Sequence, residues 1–134
     1  MSARRRTKAM NPPNVAAPIR GYYSNCVRVE SGPLLFVAGQ VGMDPQGRIV
    51  SERAAEQAEQ ALTNIETILA ANGATMADVV KVVVYVTDIK YLDEITPARL
   101  KAFPTDGPSS TIVAVSALAF PQLKVEIEAV AAIP

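Results

Sequence analysis

One run of β-branched residues restricts the fold of this chain more than any other feature. Residues 79–86 read VVKVVVYV, so that valine fills all positions except those of Lys81 and Tyr85. Valine loses side-chain freedom in a helix and packs well on a pleated surface, so this run is predicted to be a central strand. A helical pattern precedes the run and another follows it, which indicates that both helices pack against the sheet that contains this strand.

The helical pattern before the valine run is the stronger of the two. Ser51 is a suitable N-cap, Gly73 is suited to end the helix in the left-handed conformation, and apolar residues recur between them at helical spacing. These apolar residues are Ala58, Ala61, Leu62, Ile65, Ile68 and Leu69. The pattern therefore predicts one long amphipathic helix.

The second helical pattern covers residues 91–103 and contains a proline. Its predicted apolar face consists of Leu92, Ile95, Leu100 and Phe103. Thr96 and Pro97 are compatible with an N-cap followed by proline at the first helical position. Alternatively, Pro97 kinks a longer helix.

The remaining segments predict further strands at residues 22–29, 34–38, 111–115 and 123–131, with a small one at 48–50. The turn residues 30–33 suggest that the first two strands form a hairpin. The element order predicts an α+β fold, with a mixed sheet of about six strands and two helices on one face. Glu126 and Glu128 alternate with apolar residues in the last strand, so we expect the other sheet face to meet a second subunit.

Residues 20–134 are predicted to form a single domain, preceded by a disordered tail at residues 1–19 that is rich in cations and prolines. The cations Arg4, Arg5, Arg6 and Lys8 suggest either an arm that binds nucleic acid or membrane, or a solvated tail, and the second interpretation is preferred. The chain shows no signal peptide and no apolar run long enough to span a membrane, which predicts a cytoplasmic protein.

The composition excludes several kinds of chemistry. The chain has 13 basic and 13 acidic residues and no histidine. A net charge of zero provides no footprint for nucleic acid or for an anionic membrane, so neither is expected as a partner. The absence of histidine removes Ser-His and Cys-His dyads, and with Cys26 as the one cysteine a metal site is not expected. No glycine-rich phosphate loop occurs.

A series of short motifs, in this order and spacing, resembles the Rid (YjgF-like, RidA) family, some of whose members are named L-PSP endoribonucleases. The motifs are GYYS at residues 21–24, FVAGQ at 36–40, DPQG at 44–47, ATMADVVK at 74–81, VYVTD at 84–88 and VEIEAVA at 125–131. The resemblance implies a chorismate-mutase-like fold and a homotrimer with clefts between subunits. It also implies cofactor-independent hydrolysis of reactive imines and enamines, such as those derived from 2-aminoacrylate, to keto acids and ammonia.

The resemblance also implies which residues form the cleft. Tyr23 and Glu126 correspond to the catalytic tyrosine and glutamate of the family, and Gly39 to the glycine that follows a strand serine. Ala38 stands where that serine is expected, and Thr96 where an asparagine is expected. Ser110 occupies the place of the arginine that binds the substrate carboxylate, and Thr111 follows it.

The serine at position 110 suggests a changed ligand, because a bidentate arginine contributes a few kcal/mol to carboxylate binding. Arg20, Arg28, Arg99 and Lys124 are candidate replacements if the fold brings one of them into the cleft. The leading hypothesis is an imine or enamine deaminase with specificity altered from 2-imino acids. The alternatives are a non-catalytic trimer that binds a small metabolite or a client protein, and, ranked last, an endoribonuclease. Glu126 would activate water in the first case.

Overall fold

The structure, a computed structural model, describes residues 7–134 as an α+β protein with six strands and two helices. In chain order the elements are β1 (Thr7–Met10), β2 (Cys26–Val29), β3 (Leu34–Val41), α1 (Ala54–Ala71), β4 (Val79–Val86), α2 (Leu92–Ala102), β5 (Ser109–Ala114) and β6 (Val125–Ala132). Short 3₁₀ turns, Met76–Asp78 and Ile89–Tyr91, precede β4 and α2. The predicted fold class is confirmed.

Four of the strands form a mixed sheet in the order β3-β6-β4-β5. β6 is antiparallel to both of its neighbours, whereas β5 runs parallel to β4 across the connection that contains α2. β1 and β2 form a separate antiparallel pair, and a bridge between Ser24 and Ser109 connects the segment before β2 to the outer edge of β5. β5 is therefore the strand at which the sheet and the N-terminal segment meet.

The core lies between the helices and one face of the sheet. Val82, Val84 and Val86 of β4 and Val125, Ile127 and Ala129 of β6 are all at most 3% exposed. The stripe of α1 packs on this face as predicted, with Ala58, Ala61, Leu62, Ile65 and Leu69 buried. Burial of each large aliphatic side chain stabilises the fold by about 1.5–3 kcal/mol.

The opposite face of the sheet is open in the described chain. Alternation places Lys81, Tyr85, Glu126 and Glu128 on this side, next to Phe36, which is 74% exposed. We call this side the open face. No helix within residues 7–134 is long and apolar enough to cross a membrane.

Two predictions for the N-terminal region are wrong. Thr7–Met10 is a strand and not part of a disordered tail, because its backbone pairs with Cys26–Val29. This pairing also occupies β2, so β2 does not form the predicted hairpin with β3, which pairs with β6 instead. Arg4, Arg5 and Arg6 lie outside the described residues, so the two interpretations of the basic tail stay predictions.

The second helix differs from its predicted face. It runs from Leu92 through Pro97 to Ala102, which agrees with the longer of the two alternatives. Ile95 and Arg99 are its buried residues, whereas Leu100 is 42% exposed. Residues four apart share a helix face, so Arg99 follows Ile95 into the interior in place of the expected leucine.

Local geometry at the start of α1 also departs from the prediction. The N-cap residue is Arg53, without a side-chain cap, and the Ser51 hydroxyl accepts a hydrogen bond from the Arg53 amide at 3.0 Å. The segment at residues 48–50 makes an isolated bridge between Met43 and Ile49 and no full strand.

Candidate active site

Glu126 lies on the open face, in the second position of β6. It pairs with Tyr85 of β4 on one side and with Val41 of β3 on the other. The β3–β6 ladder is irregular between Val37 and Gln40, where Ala38 and Gly39 lie. The bulge turns the backbone of Gly39 toward the Glu126 side chain.

Gly39 and the Glu126 carboxylate are in close contact. A Cβ built on Gly39 would lie 2.8 Å from Cδ and 3.0 Å from Cγ of Glu126, and would clash with Oε2. Any side chain at position 39 would therefore displace the carboxylate. Ala38 is exposed beside this pair, and Gly39 and Glu126 are half-buried.

A second carboxylate of the open face is hydrogen-bonded. The Tyr85 hydroxyl donates to Glu128 Oε1 at 2.5 Å. This hydrogen bond raises the pKa of Tyr85, and partial burial and the negative charges of Glu128 and Glu126 act in the same direction. Within residues 7–134, no hydrogen bond engages the Glu126 carboxylate, which is therefore available to activate water.

A separate pocket lies on the helix side of β5. Its volume is about 260 Å³, and it is enclosed by the segment before β2, by α2 and by β5. Its lining consists of Ile19, Arg20, Tyr22, Tyr23, Leu92, Arg99, Ser110 and Ile112. We call it the arginine pocket, because two guanidinium groups contribute to its wall.

Arg99 is buried at the base of the arginine pocket, with 1% of its surface exposed. Its Nη2 donates to Ser110 Oγ at 2.5 Å, and its Cζ lies 3.9 Å from the centroid of the Tyr22 ring. Burial lowers the pKa of Arg99. The positive charge of Arg20 lowers this pKa further, whereas Tyr22 raises it. A buried cation with an aromatic ring on one side thus lies just behind the pocket surface.

Arg20 sits at the mouth of the same pocket. Its Nη2 pairs with Asp93 at 3.1 Å, and its Nη1 lies 3.5 Å from Thr96 Oγ1. Thr96 Oγ1 itself donates to the Leu92 carbonyl at 2.8 Å. Thr96 therefore binds its own helix and Arg20, and borders the pocket without lining it.

Tyr23 lines the arginine pocket together with Ser110. Its hydroxyl accepts a hydrogen bond from the Ile19 amide at 3.1 Å, so its proton is free to be donated. Its ring centroid is 5.8 Å from that of Tyr22, which fixes its orientation. Gly107 supports this arrangement, since a Cβ there would collide with the Tyr22 carbonyl.

The seven residues expected in one cleft form two groups within a single chain. Ala38, Gly39 and Glu126 lie on the open face, and exposed Thr111 alternates onto the same face of β5. The other three, Tyr23, Thr96 and Ser110, lie on the helix side. β4 separates β5 from β6, which places the two strands about 10 Å apart.

The four candidate replacements for an arginine at position 110 lie in different parts of the structure. The structure brings Arg99 and Arg20 into the pocket that Ser110 lines. Arg28 is exposed beside Glu30, at 4.0 Å, and Lys124 lies over the Tyr91 ring. Sequence reasoning could have singled out Arg99 from its position four residues after Ile95. Residues 7–134 contain no cluster of histidine, cysteine and carboxylate side chains able to hold a metal ion.

An α+β chain with this sheet, and with a glutamate packed on a bulge glycine, belongs to a known class of small proteins. A family model described as "Endoribonuclease L-PSP" matches residues 14–133. The chain therefore belongs to this family, which is the Rid (YjgF-like) family that its motifs resemble.

Relatives with names of several kinds support this assignment. The chain is 38% identical to the human 2-iminobutanoate/2-iminopropanoate deaminase over 112 residues, which cover 83% of this chain and 80% of the human protein. It is 41% identical to the RutC family protein y4sK of Sinorhizobium fredii, over 82% of this chain and 86% of that one. The crystal structure of the Rid family protein YyfB from Yersinia pestis superposes with a TM-score of 0.88, at 31% identity, over 96% of this chain and 99% of that one.

Proposed function

We propose that this protein is a cofactor-independent hydrolytic deaminase of reactive imines and enamines, with a specificity altered from that for simple 2-imino acids. The observation that carries the proposal is the contact between Gly39 and the Glu126 carboxylate, which holds an otherwise unbonded carboxylate on the open face. The deaminase name of the human relative supports the same reaction class.

The chemistry requires one general base and one water molecule. Glu126 takes a proton from water as the water oxygen forms a bond with the imine carbon. The proton then passes to the imine nitrogen, which gives a carbinolamine. The carbinolamine hydroxyl next loses its proton while the amino group gains one, so that the C–N bond breaks and ammonia leaves with a carbonyl product. An enamine first becomes an imine by protonation at carbon. The Tyr23 hydroxyl, whose proton is free, is suited to donate a hydrogen bond to the substrate.

We propose that a homotrimer joins the two groups of site residues, with each cleft formed by two subunits. The separation of Glu126 from Tyr23 and Ser110 within one chain supports this assembly. The exposure of Leu34, Phe36 and Val113 on the open face, at 50%, 74% and 40%, supports it as well. Mass measurement in solution tests the trimer directly.

Mixed assemblies test whether two subunits share each site. Glu126→Gln chains and Tyr23→Phe chains are each expected to be inactive or nearly so. Refolding the two together should restore activity at about a quarter of the sites, because random mixing pairs an intact half from each chain at that frequency. Activity that stays at the level of the separate variants would contradict shared sites.

Ammonia release from a panel of charged and neutral imines, generated in situ by amino-acid and amine oxidases, tests the reaction. Glu126→Gln should reduce the rate by about 10²–10⁴-fold, the usual contribution of a general base. Glu128→Gln is the matched control, because it lies on the same strand and face but is bonded to Tyr85. Equal losses in both variants, or no turnover of any imine, would argue against the deaminase.

The second candidate is a non-catalytic trimer that binds a small metabolite or client protein, which the arginine pocket favours as a preformed binding site. Saturable binding without turnover would support it. Endoribonuclease activity, named in the family description, is ranked last. Cleavage of RNA that survives repurification and disappears in Glu126→Gln would revive it. A cytoplasmic location, and the absence of nucleic-acid and membrane partners, stay predictions of the sequence.

A further inference from the structure

We propose that Arg99, acting together with Ser110, binds the anionic group of the ligand and so makes this a site for carboxylate-bearing imines. The helix α2 would then supply the cation that the family resemblance places on β5. This inference rests on the proposed function only in treating the anion as part of an imine substrate. The binding of a carboxylate can be tested without turnover.

The first support is the cost of leaving Arg99 as it is. Removal of a charged side chain from water is unfavourable unless the charge is paired, and the charge of Arg20 adds repulsion. Among residues 7–134, no carboxylate lies within 4.0 Å of the Arg99 guanidinium, although Arg20 beside it pairs with Asp93. The Ser110 hydroxyl and the Tyr22 side chain, through its ring face and its hydroxyl, are thus the main compensation for a buried cation, and neither carries a formal negative charge. A bound anion would supply the missing partner.

The second support is the direction of the hydrogen bonds. Ser110 Oγ accepts from Arg99, so the hydroxyl proton of Ser110 is free to be donated into the pocket that Ser110 lines. Tyr23 Oη likewise accepts from the Ile19 amide and keeps its proton. Two hydroxyl donors and two guanidinium groups therefore line one cavity. This set of donors suits an anion and offers little to a cation.

The third support is the register of β5. Pairing of Ser110 with Val82 directs the Ser110 side chain toward the helix side, where Arg99 reaches it across the space between α2 and β5. The guanidinium of Arg99, on α2, therefore lies next to the β5 position at which the family resemblance expects an arginine. The positive charge would thus be supplied at nearly the same place in the fold by a different residue.

The geometry also explains how specificity would differ. Arg99 is 1% exposed, so a ligand meets the Ser110 hydroxyl first, with the guanidinium charge behind it. A carboxylate would be held through single hydrogen bonds and not by a bidentate fork, which weakens discrimination in favour of planar 2-imino acids. Anionic imines should still be preferred to neutral ones of the same size.

The experiment measures binding of pyruvate, and of acetone as its neutral counterpart, to the full chain by isothermal calorimetry and thermal shift. The wild type should bind pyruvate saturably and acetone not at all. Arg99→Met should weaken pyruvate binding by about 10–100-fold, and Ser110→Ala by about tenfold, as expected for charge-assisted hydrogen bonds. Lys101→Met, which removes a neighbouring exposed cation of α2 outside the arginine pocket, is the control and should bind like the wild type.

Moving the arginine gives the sharpest test. The double variant Arg99→Met/Ser110→Arg places the guanidinium on β5 and should recover pyruvate binding that Arg99→Met alone loses. Ser110→Arg alone puts a second guanidinium beside Arg99, so it should lower the melting temperature and not tighten binding. Tighter binding by Ser110→Arg, or unchanged binding by Arg99→Met, would overturn the proposal. If Arg99→Met does not fold, Ser110→Ala and Ser110→Arg decide the question alone.

The two proposals fail in different ways. Pyruvate binding that depends on Arg99, without ammonia release from any imine, would leave the anion site standing and remove the deaminase. Ammonia release that depends on Glu126 but is equal for charged and neutral imines, and unaffected by Arg99→Met, would leave the deaminase and remove the anion site. Absence of pyruvate binding to the wild type would also overturn the inference.

Discussion

Replacement of Gln57 by leucine should destabilise the whole fold while removing only a single amide. Gln57 is 0% exposed in α1. Its Nε2 donates to the carbonyls of Ser51 and Gln122 at 2.9 and 3.0 Å, and its Oε1 accepts from the Lys124 amide at 2.8 Å. One side chain thus satisfies three backbone groups in two segments that are far apart in sequence.

The expected magnitude follows from these three hydrogen bonds. Each contributes about 1 kcal/mol net, and leucine of similar size would leave all three backbone groups without their partner, so we expect a loss of about 3 kcal/mol. The surrounding backbone has little room to move and find new hydrogen-bond partners. A Cβ built on Gly42 would lie 2.7 Å from Cα of Gln57, so the chain at Gly42 packs closely against this part of α1. For a chain of this size the loss lowers the melting temperature by about 10 °C.

Urea and thermal unfolding of Gln57→Leu and Gln60→Leu provide the comparison. Gln60 lies one turn later in the same helix and makes a single hydrogen bond to Asn64, at 2.8 Å. Its replacement should cost less than about 0.5 kcal/mol. Gln57→Leu should also lower catalysis at fixed folded fraction, because Lys124 precedes Glu126 by two residues. Equal stability of the two variants would refute the role of Gln57 as the residue whose hydrogen bonds connect α1 to the segment before β6.

Three further outcomes are expected. Gly39→Ala should displace the Glu126 carboxylate and reduce ammonia release by at least about tenfold, with unfolding measurements showing a smaller change in stability. In an absorbance titration, Tyr85 should ionise above the usual pKa of about 10; its bond to Glu128 should stabilise the fold at lower pH and be lost as pH rises through the raised pKa, so the stability difference from Tyr85→Phe should shrink only in strong alkali. Val84→Ala, at a fully buried position of β4, should cost about 2 kcal/mol in urea unfolding and leave an unfilled cavity.

Much of the sheet and the first helix could be predicted because their patterns are dictated by burial. β4 agrees with the predicted run at residues 79–86, and β6 begins two residues later than predicted. Both are central strands with one face in the core, so alternation or β-branching is strongly selected there. The apolar stripe of α1 could be predicted for the same reason, because its residues pack against β3 and β6.

The errors arise where the partner of a segment is not encoded locally. Thr7–Met10 contains no strand pattern of its own and is ordered by pairing with β2. The turn at residues 30–33 suggests a hairpin from its composition, but the edge of β2 is already paired, and β3 joins β6. Strand pairing across long stretches of chain depends on tertiary packing, which a local pattern does not contain.

The candidate site was predictable in part for a similar reason. Gly39 and Glu126 were singled out through the family resemblance, and the structure brings them into contact. Arg99 was only one of four possible cations, because arginine on a helix ordinarily faces solvent. The four-residue spacing shows that Arg99 shares a helix face with Ile95, but not the direction of α2 over β5 or the position of the Tyr22 ring, on which the burial of Arg99 also depends.

The Gln57 hydrogen bonds have a consequence for motion in the native state. They connect the chain before α1 to the chain before β6, so neither segment can open without breaking contacts to the other. Hydrogen exchange at the Lys124 amide should therefore proceed only through large-scale opening, whereas the exposed loop around Gly47 should exchange by local fluctuation. The strand that carries Glu126 would thus stay in place even while the surrounding loops fluctuate, which would keep the carboxylate in position between encounters with ligand.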